Sequence, residues 1–162
     1  DALRLALVIG NTPGTDLALR EDKVKGYKNF ANKIWNITRF VLENTKDWDG
    51  TKPENISEND TKNLNELNEL VADITKDMDN YRFYLGAEKL YHYVWHTFAD
   101  KIIEESKESL KNEDTKKSTQ YTLRQILETS LKLLHPFMPF VTEEIWSHID
   151  GKKLLMVTSW PK

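Results

Sequence analysis

The chain has 162 residues, 39% of them hydrophobic and 30% charged, with five Trp, six Tyr and six Phe; that mix builds a globular domain with a sizeable core and excludes a disordered segment. A net charge of -3 excludes global attraction to nucleic acid, so any RNA contact must come from a local patch. No cysteine is present, which excludes disulfides, thiol nucleophiles and cysteine-based zinc sites and fits a reducing compartment; no run of about 18 apolar residues is available to cross a membrane.

Residues 1–9 carry helical apolar spacing at Leu3, Ala6 and Leu7, with Asp1 placed to cap. The chain opens inside this helix, as if continuing a longer one, and lacks the cleavage pattern of a signal peptide. Gly10, Asn11, Thr12, Pro13 and Gly14 break it, and a short extended piece follows at 16–19. A second helix is expected from about Asp22, its cap, to about Thr45. Within it, Tyr27, Phe30, Ala31, Ile34, Ile37, Thr38 and Val41 recur at spacings of three and four and form a core face. The other faces carry Lys25, Lys28, Asn29, Asn32, Lys33, Asn36 and Arg39, while Trp35 and Phe40 flank the apolar stripe. Residues 48–57 read as a polar loop around Gly50 and Pro53, after which Ser57 or Asp60 caps a third helix over about 60–79, ending in a turn at Asp79, Asn80 and Tyr81.

A fourth helix is expected over about 83–111, with Ala87, Leu90, Tyr91, Val94, Trp95, Phe98 and Ile102 inward. Residues 112–117 read as a charged turn, and a fifth helix runs over about 118–134 until His135-Pro136-Phe137-Met138-Pro139 stops it. A short sixth helix, about 141–148, carries Glu143 and Glu144 in its first turn, where they suit the helix dipole, and ends at Gly151. Residues 154–158 read as a strand or an extended tail. The fold class is all-α: an antiparallel bundle of four long helices with short terminal helices.

Chemistry is sparse. His92 and His96 share a helix face with Glu88 and Asp100, but no Glu follows the first His as in H-E-x-x-H and no third ligand is flagged, so a solvated charged face explains them better than a metal half-site. GNTPGT at 10–15 lacks the Lys and spacing of a phosphate loop, and no Gly-x-Ser-x-Gly occurs. Asn-x-Ser/Thr triplets at Asn36, Asn55 and Asn59 are read as chance. No catalytic constellation and no metal site is assigned. The polar side of helix two remains: cations for phosphates, amides for base edges, and Trp35 or Phe40 as a stacking platform.

Three blocks carry a resemblance. DALRLAL at the start, GYKNFANKIWNITRFVLEN in helix two and LKLLHPFMPFVTEEIW near the end resemble the helical anticodon-binding domain of class I aminoacyl-tRNA synthetases of the isoleucine/leucine/valine group. TPGTDL and the finish LLMVTSWP make it most like valyl-tRNA synthetases; residues 51–80 match poorly. The resemblance implies three regions: 1–19 as the remnant of the junction after a catalytic domain, 20–150 as the anticodon-binding bundle, and 151–162 as a C-terminal extended tail. It implies a fragment that recognises a tRNA anticodon stem-loop of valine type, inside a cytoplasmic, monomeric parent that attaches valine to tRNA with ATP and magnesium. The fragment itself would carry no catalytic site, would need no cofactor, would contact the catalytic domain of the same parent, and would not bind membrane. Arg39 and Phe40 match the family's anticodon-facing Arg-Phe pair, one bonding base edges or phosphate and the other stacking. Asn36 and Lys33 match supporting motif positions, and Lys23 stands loosely where relatives place a basic residue.

Two departures weaken the transfer of contacts from other helices. Asp60-Thr61-Lys62-Asn63 replaces an Asp-Arg-Trp type start, and Lys101 replaces an aromatic after Asp100. The alternatives are the corresponding domain of isoleucyl-tRNA synthetases, or a structural or protein-interaction bundle that binds no RNA.

Overall fold

The computed structural model describes residues 1–10, 14–16, 18–149 and 153–162. Among them every element is helical: α1 Ala2–Val8, α2 Glu21–Asn44, α3 Glu58–Asp79, α4 Phe83–His92, a π-helical segment Tyr93–Ile102, α5 Ile103–Ser109, α6 Glu113–Leu134, α7 Pro139–Ser147 and a 3-10 turn Leu155–Val157. The backbone passes through the π segment without leaving the right-handed helical region, so α4, the π segment and α5 make one long rod. That rod, α2, α3 and α6 are the four long helices of the bundle. The expected break after Gly10, the extended piece at 16–19 and the stop at Gly151 fall wholly or partly outside the described residues.

The core follows from the stripes. Phe30, Ile34, Ile37 and Val41 of α2 meet Leu67, Val71 and Ile74 of α3, Leu90 and Phe98 of the rod, and Leu123, Ile126, Leu127 and Leu131 of α6 in one buried cluster. α1 packs on α2 and α4, and α7 on α6 and α2. The π segment shifts the rod's inward face. Bonding from residue i to i+5 brings residues five apart into line, so Tyr93 and Phe98, and Val94 and Ala99, are buried together. Tyr91 and Trp95, expected to point inward, are only half-buried. They join Phe30, with ring centres 4.7 and 6.0 Å away.

Several helix ends differ from expectation, some through partners remote in sequence and some through immediate neighbours. Asp1 occupies the N-cap position of α1 but makes no side-chain cap bond there; its carboxylate instead accepts the N–H groups of Phe140 (3.1 Å) and Val141 (2.6 Å) in the first turn of α7. Asp22 is not the cap of α2, which begins after Arg20; its carboxylate pairs with the Arg20 guanidinium at 2.7 Å. Ser57 caps α3, its hydroxyl accepting the Asp60 N–H at 3.1 Å. α6 starts at Glu113, capped by the Asn112 side chain, so the expected charged turn is largely its first turns. α7 starts at Pro139, a residue whose missing N–H costs nothing in a first turn. Glu143 therefore lies past that turn, and its carboxylate does not serve the helix dipole. It accepts the N–H groups of Leu155 (2.7 Å) and Met156 (3.3 Å). With Trp160 Nε1 donating to Thr75 Oγ1 at 2.8 Å, this draws the C-terminal residues back onto the bundle. The strand considered for 154–158 is a 3-10 turn with Leu155 buried.

His135, at the end of α6, sits against α7 with Nδ1 2.9 Å from Thr142 Oγ1 and Nε2 3.8 Å from the Glu143 carboxylate. Burial holds its folded-state pKa below the ordinary 6.5, with Glu143 opposing. As pH falls the unfolded chain takes up this proton first, so stability declines below about pH 6.5 and levels off beneath the folded value. Melting temperatures recorded from about pH 7.5 to about pH 5 should show that decline in the native chain and lack it in His135→Gln.

Candidate nucleic-acid interface

α2 owes its position to its apolar face, which fixes the opposite faces toward solvent. Lys25, Lys28, Asn29, Asn32, Asn36 and Arg39 are exposed there. Near the C-terminal end of α2, Asn36, Arg39, Phe40, Leu42, Glu43, Asn44 and Lys46 line an open depression of about 530 Å³. Phe40 is half-buried: part of its ring packs on the core and the rest lines the depression. The Arg39 and Asn36 side chains have no hydrogen bond or ion pair with any described residue, so both are at liberty to meet a ligand. An anchored ring beside a free guanidinium and a free amide can stack one face of an unpaired base and bond its edge.

Of the five residues singled out from the sequence, the structure brings Asn36, Arg39 and Phe40 into this depression and leaves two outside its lining. Lys33 points its Nζ at Asp100 Oδ1, 2.7 Å away, and lies over the Trp95 ring at 5.0 Å from its centre. The same contact holds the Asp100 carboxyl below its usual pKa. Lys23 donates to the carbonyl of Ile9 at 2.7 Å, tying the end of α1 to α2. It stands sixteen residues before Arg39, or about 24 Å along a helix axis at about 1.5 Å per residue. Trp35 is also elsewhere, its ring edge-on to His148 at 5.8 Å.

Sequence reasoning missed Glu43, Asn44 and Lys46. The signal was available: positions 43 and 46 continue the i+4 and i+7 series from Arg39, and 44 lies at i+4 from Phe40. Glu43 and Lys46 form an exposed ion pair at 2.7 Å. The charge balance of the depression is nearly neutral. Arg39 and Lys46 bring two positive charges, Glu43 one negative, and the C-terminal end of α2 roughly half a negative charge. Stacking and edge bonding must therefore contribute more than phosphate attraction.

The two aspartates next to the departures from the family pattern have structural roles, while Thr61, Lys62 and Lys101 themselves are exposed. The buried Asp60 carboxylate accepts the hydroxyls of Ser57 (2.7 Å), Ser118 (2.6 Å) and Thr119 (3.2 Å), joining α3 to α6. Asp100 is the partner of Lys33, with His96 Nδ1 at 3.6 Å. The His92 and His96 rings stack at 5.6 Å, and no group of three or more His, Cys, Asp or Glu that could hold a metal ion occurs among the described residues. No helix among them is long and apolar enough to cross a membrane.

Comparison with known proteins places this geometry in a family. Residues 60–162 match the model of the anticodon-binding domain of tRNA ligase. The Valine--tRNA ligase of Carboxydothermus hydrogenoformans is 40% identical over 169 residues, covering 100% of this chain and 19% of that protein. The Valine--tRNA ligase of Thermotoga maritima is 40% identical over 163 residues, with the same coverage of 100% and 19%. The chain thus spans about a fifth of the length of these curated relatives. α2 lies before the family-model match but inside both alignments. The fold is shared with a crystal structure of the ternary complex of Agrobacterium radiobacter K84 agnB2 LeuRS, tRNA and LeuAMS, at a TM-score of 0.80 and 16% identity over 99% of this chain and 19% of that one. An all-helical bundle among the described residues, a family model over most of the chain and alignments that span the whole of this chain agree: this chain belongs to the anticodon-binding domains of tRNA ligases.

Proposed function

We propose that this domain grips the anticodon stem-loop of a valine-type tRNA, as one part of a cytoplasmic valine–tRNA ligase. The observation that carries the reading is the unpaired Arg39 beside the half-buried Phe40 in the open depression at the end of α2. Phe40 stacks on a loop base, Arg39 bonds its edge or the adjoining phosphate, and Asn36 bonds a second edge position. Lys33 and Lys23 act through the packing of α2, since both ammonium groups are already bonded within the chain. Identity of 40% with valine–tRNA ligases supports the valine assignment over the isoleucine one. The attachment of valine, with its ATP and magnesium, belongs to the remaining four fifths of such a parent, whose catalytic domain this bundle adjoins. The domain itself binds neither cofactor and acts as a monomer.

The test is binding of the chain to a valine anticodon stem-loop, against the same loop with its second and third anticodon bases changed. Preference for the valine loop is expected. Because few phosphates are engaged, log affinity should fall with log salt at a slope of roughly -0.7 to -2, as for one to three single-strand phosphates. Equal affinity for both loops overturns the valine assignment, and absence of binding at low salt overturns the RNA-binding reading of the chain.

A further inference from the structure

The depression sits on the last turn of α2, and that turn lacks the usual devices for ending a helix. The C-cap is Thr45 in a non-left-handed conformation, with no glycine after it and no basic residue in the last turn. Its carbonyls are satisfied by side chains instead. Thr45 Oγ1 donates to the Val41 carbonyl at 2.8 Å, and Asn44 Nδ2 donates to the Phe40 carbonyl at 2.8 Å. The third donor comes from α6, 76 residues away. Gln120 Nε2 donates to the carbonyl of Asn44 at 2.8 Å and to Asp47 Oδ1 at 2.6 Å.

Gln120 is only 2% exposed, and both of its amide hydrogens face acceptors. Satisfying both takes a side chain with two N–H donors and no negative charge, which the Gln120 amide supplies. Glutamate would bring a carboxylate against Asp47, and leucine would leave the Asn44 carbonyl unbonded. Lys116, one turn earlier on α6, pairs with the other oxygen of Asp47. A continuous polar path therefore runs from α6 through Asp47 and Gln120 to Asn44, and from Asn44 to the backbone of Phe40.

We propose that Gln120 is a positioning residue of the anticodon-loop site: from α6 it fixes the last turn of α2, and through Asn44 the orientation of the Phe40 ring on which a loop base stacks. This inference rests on the reading of the depression as the loop site. It names a residue that touches no RNA, on a helix that lines no part of the depression.

The experiment has two arms. In the free protein, amide hydrogen exchange is followed in native chain and Gln120→Leu, with Gln120→Glu as a second variant should the first fold poorly. Exchange at residues 42–45 should rise about tenfold while the core amides of α3 and α6 keep their rates. Unchanged rates at 42–45, or a uniform rise throughout, overturns the positioning role. In the second arm, stem-loops carry 2-aminopurine at one loop position at a time, and fluorescence is read at saturating protein, where differences in affinity drop out. Native chain should quench the stacked position, Phe40→Leu should lose the quench, and Gln120→Leu should retain only part of it. Full quenching by Gln120→Leu overturns the inference. Full quenching by Phe40→Leu overturns the stacking reading of the site, while the exchange arm still decides whether Gln120 holds the end of α2.

Discussion

Phe30→Ala destabilises the domain by about 3–5 kcal/mol, the loss typical of a fully buried aromatic truncated to alanine. Phe30 is 0% exposed and sits where α2 meets the rod. Its ring lies 4.7 Å from that of Tyr91 and stacks with that of Trp95 at 6.0 Å, so truncation removes both the buried area and the aromatic geometry. Ile34, one turn along α2, and Leu90 in the same core cluster are already buried, so little side chain is free to swing into the cavity. For a domain of this size the loss corresponds to a fall in melting temperature of roughly 6–20 °C. Phe140→Ala is the control: its ring is 74% exposed, and the expected change is within about 0.5 kcal/mol. Thermal melting of the two variants side by side checks the core assignment, and equal effects would mean that α2 is not packed as described.

Arg39→Ala should weaken stem-loop binding by about 5- to 150-fold, the range of about 1–3 kcal/mol for one good side-chain contact to a base. Its stability should stay within about 0.5 kcal/mol of native, because the guanidinium is exposed and has no partner among the described residues. Phe40→Leu should weaken binding comparably, stacking being worth about 1–3 kcal/mol per base, while keeping most of the apolar contact with the core. If both residues hold one base, the double variant loses less than the sum of the single losses. Lys33→Ala should behave differently. It leaves Asp100 with only the His96 contact and Trp95 without its cation, so melting temperature and affinity fall together. Melting curves and binding isotherms on the four variants separate these outcomes. Native affinity in a folded Arg39→Ala would remove Arg39 from the interface.

The sequence by itself determined the helices and their inward faces. Spacings of three and four specify which side of α2 and α3 must leave water, and that is a local property of the chain. The same spacing placed Asn36, Arg39 and Phe40 near one another, since neighbours three and four apart on a helix are close in any fold. Three features could not be read this way. A template with 3.6 residues per turn cannot anticipate a π segment, so Tyr93 was overlooked and Tyr91 and Trp95 were set too deep. Proline at 139 reads as a stop and as a start alike, and only the packing of α7 on α6 distinguishes them. The remaining decisions belong to pairs distant in sequence. Asp1 bonds the first turn of α7 across 139 positions, Asp100 takes Lys33 across 67, and Gln120 holds Asn44 across 76. A hydrogen bond joins whichever groups packing brings within about 3 Å. Helical periodicity says which faces turn inward but not which residues meet there, so the choice of partner, and with it which cations remain free for RNA, was made only when the helices docked.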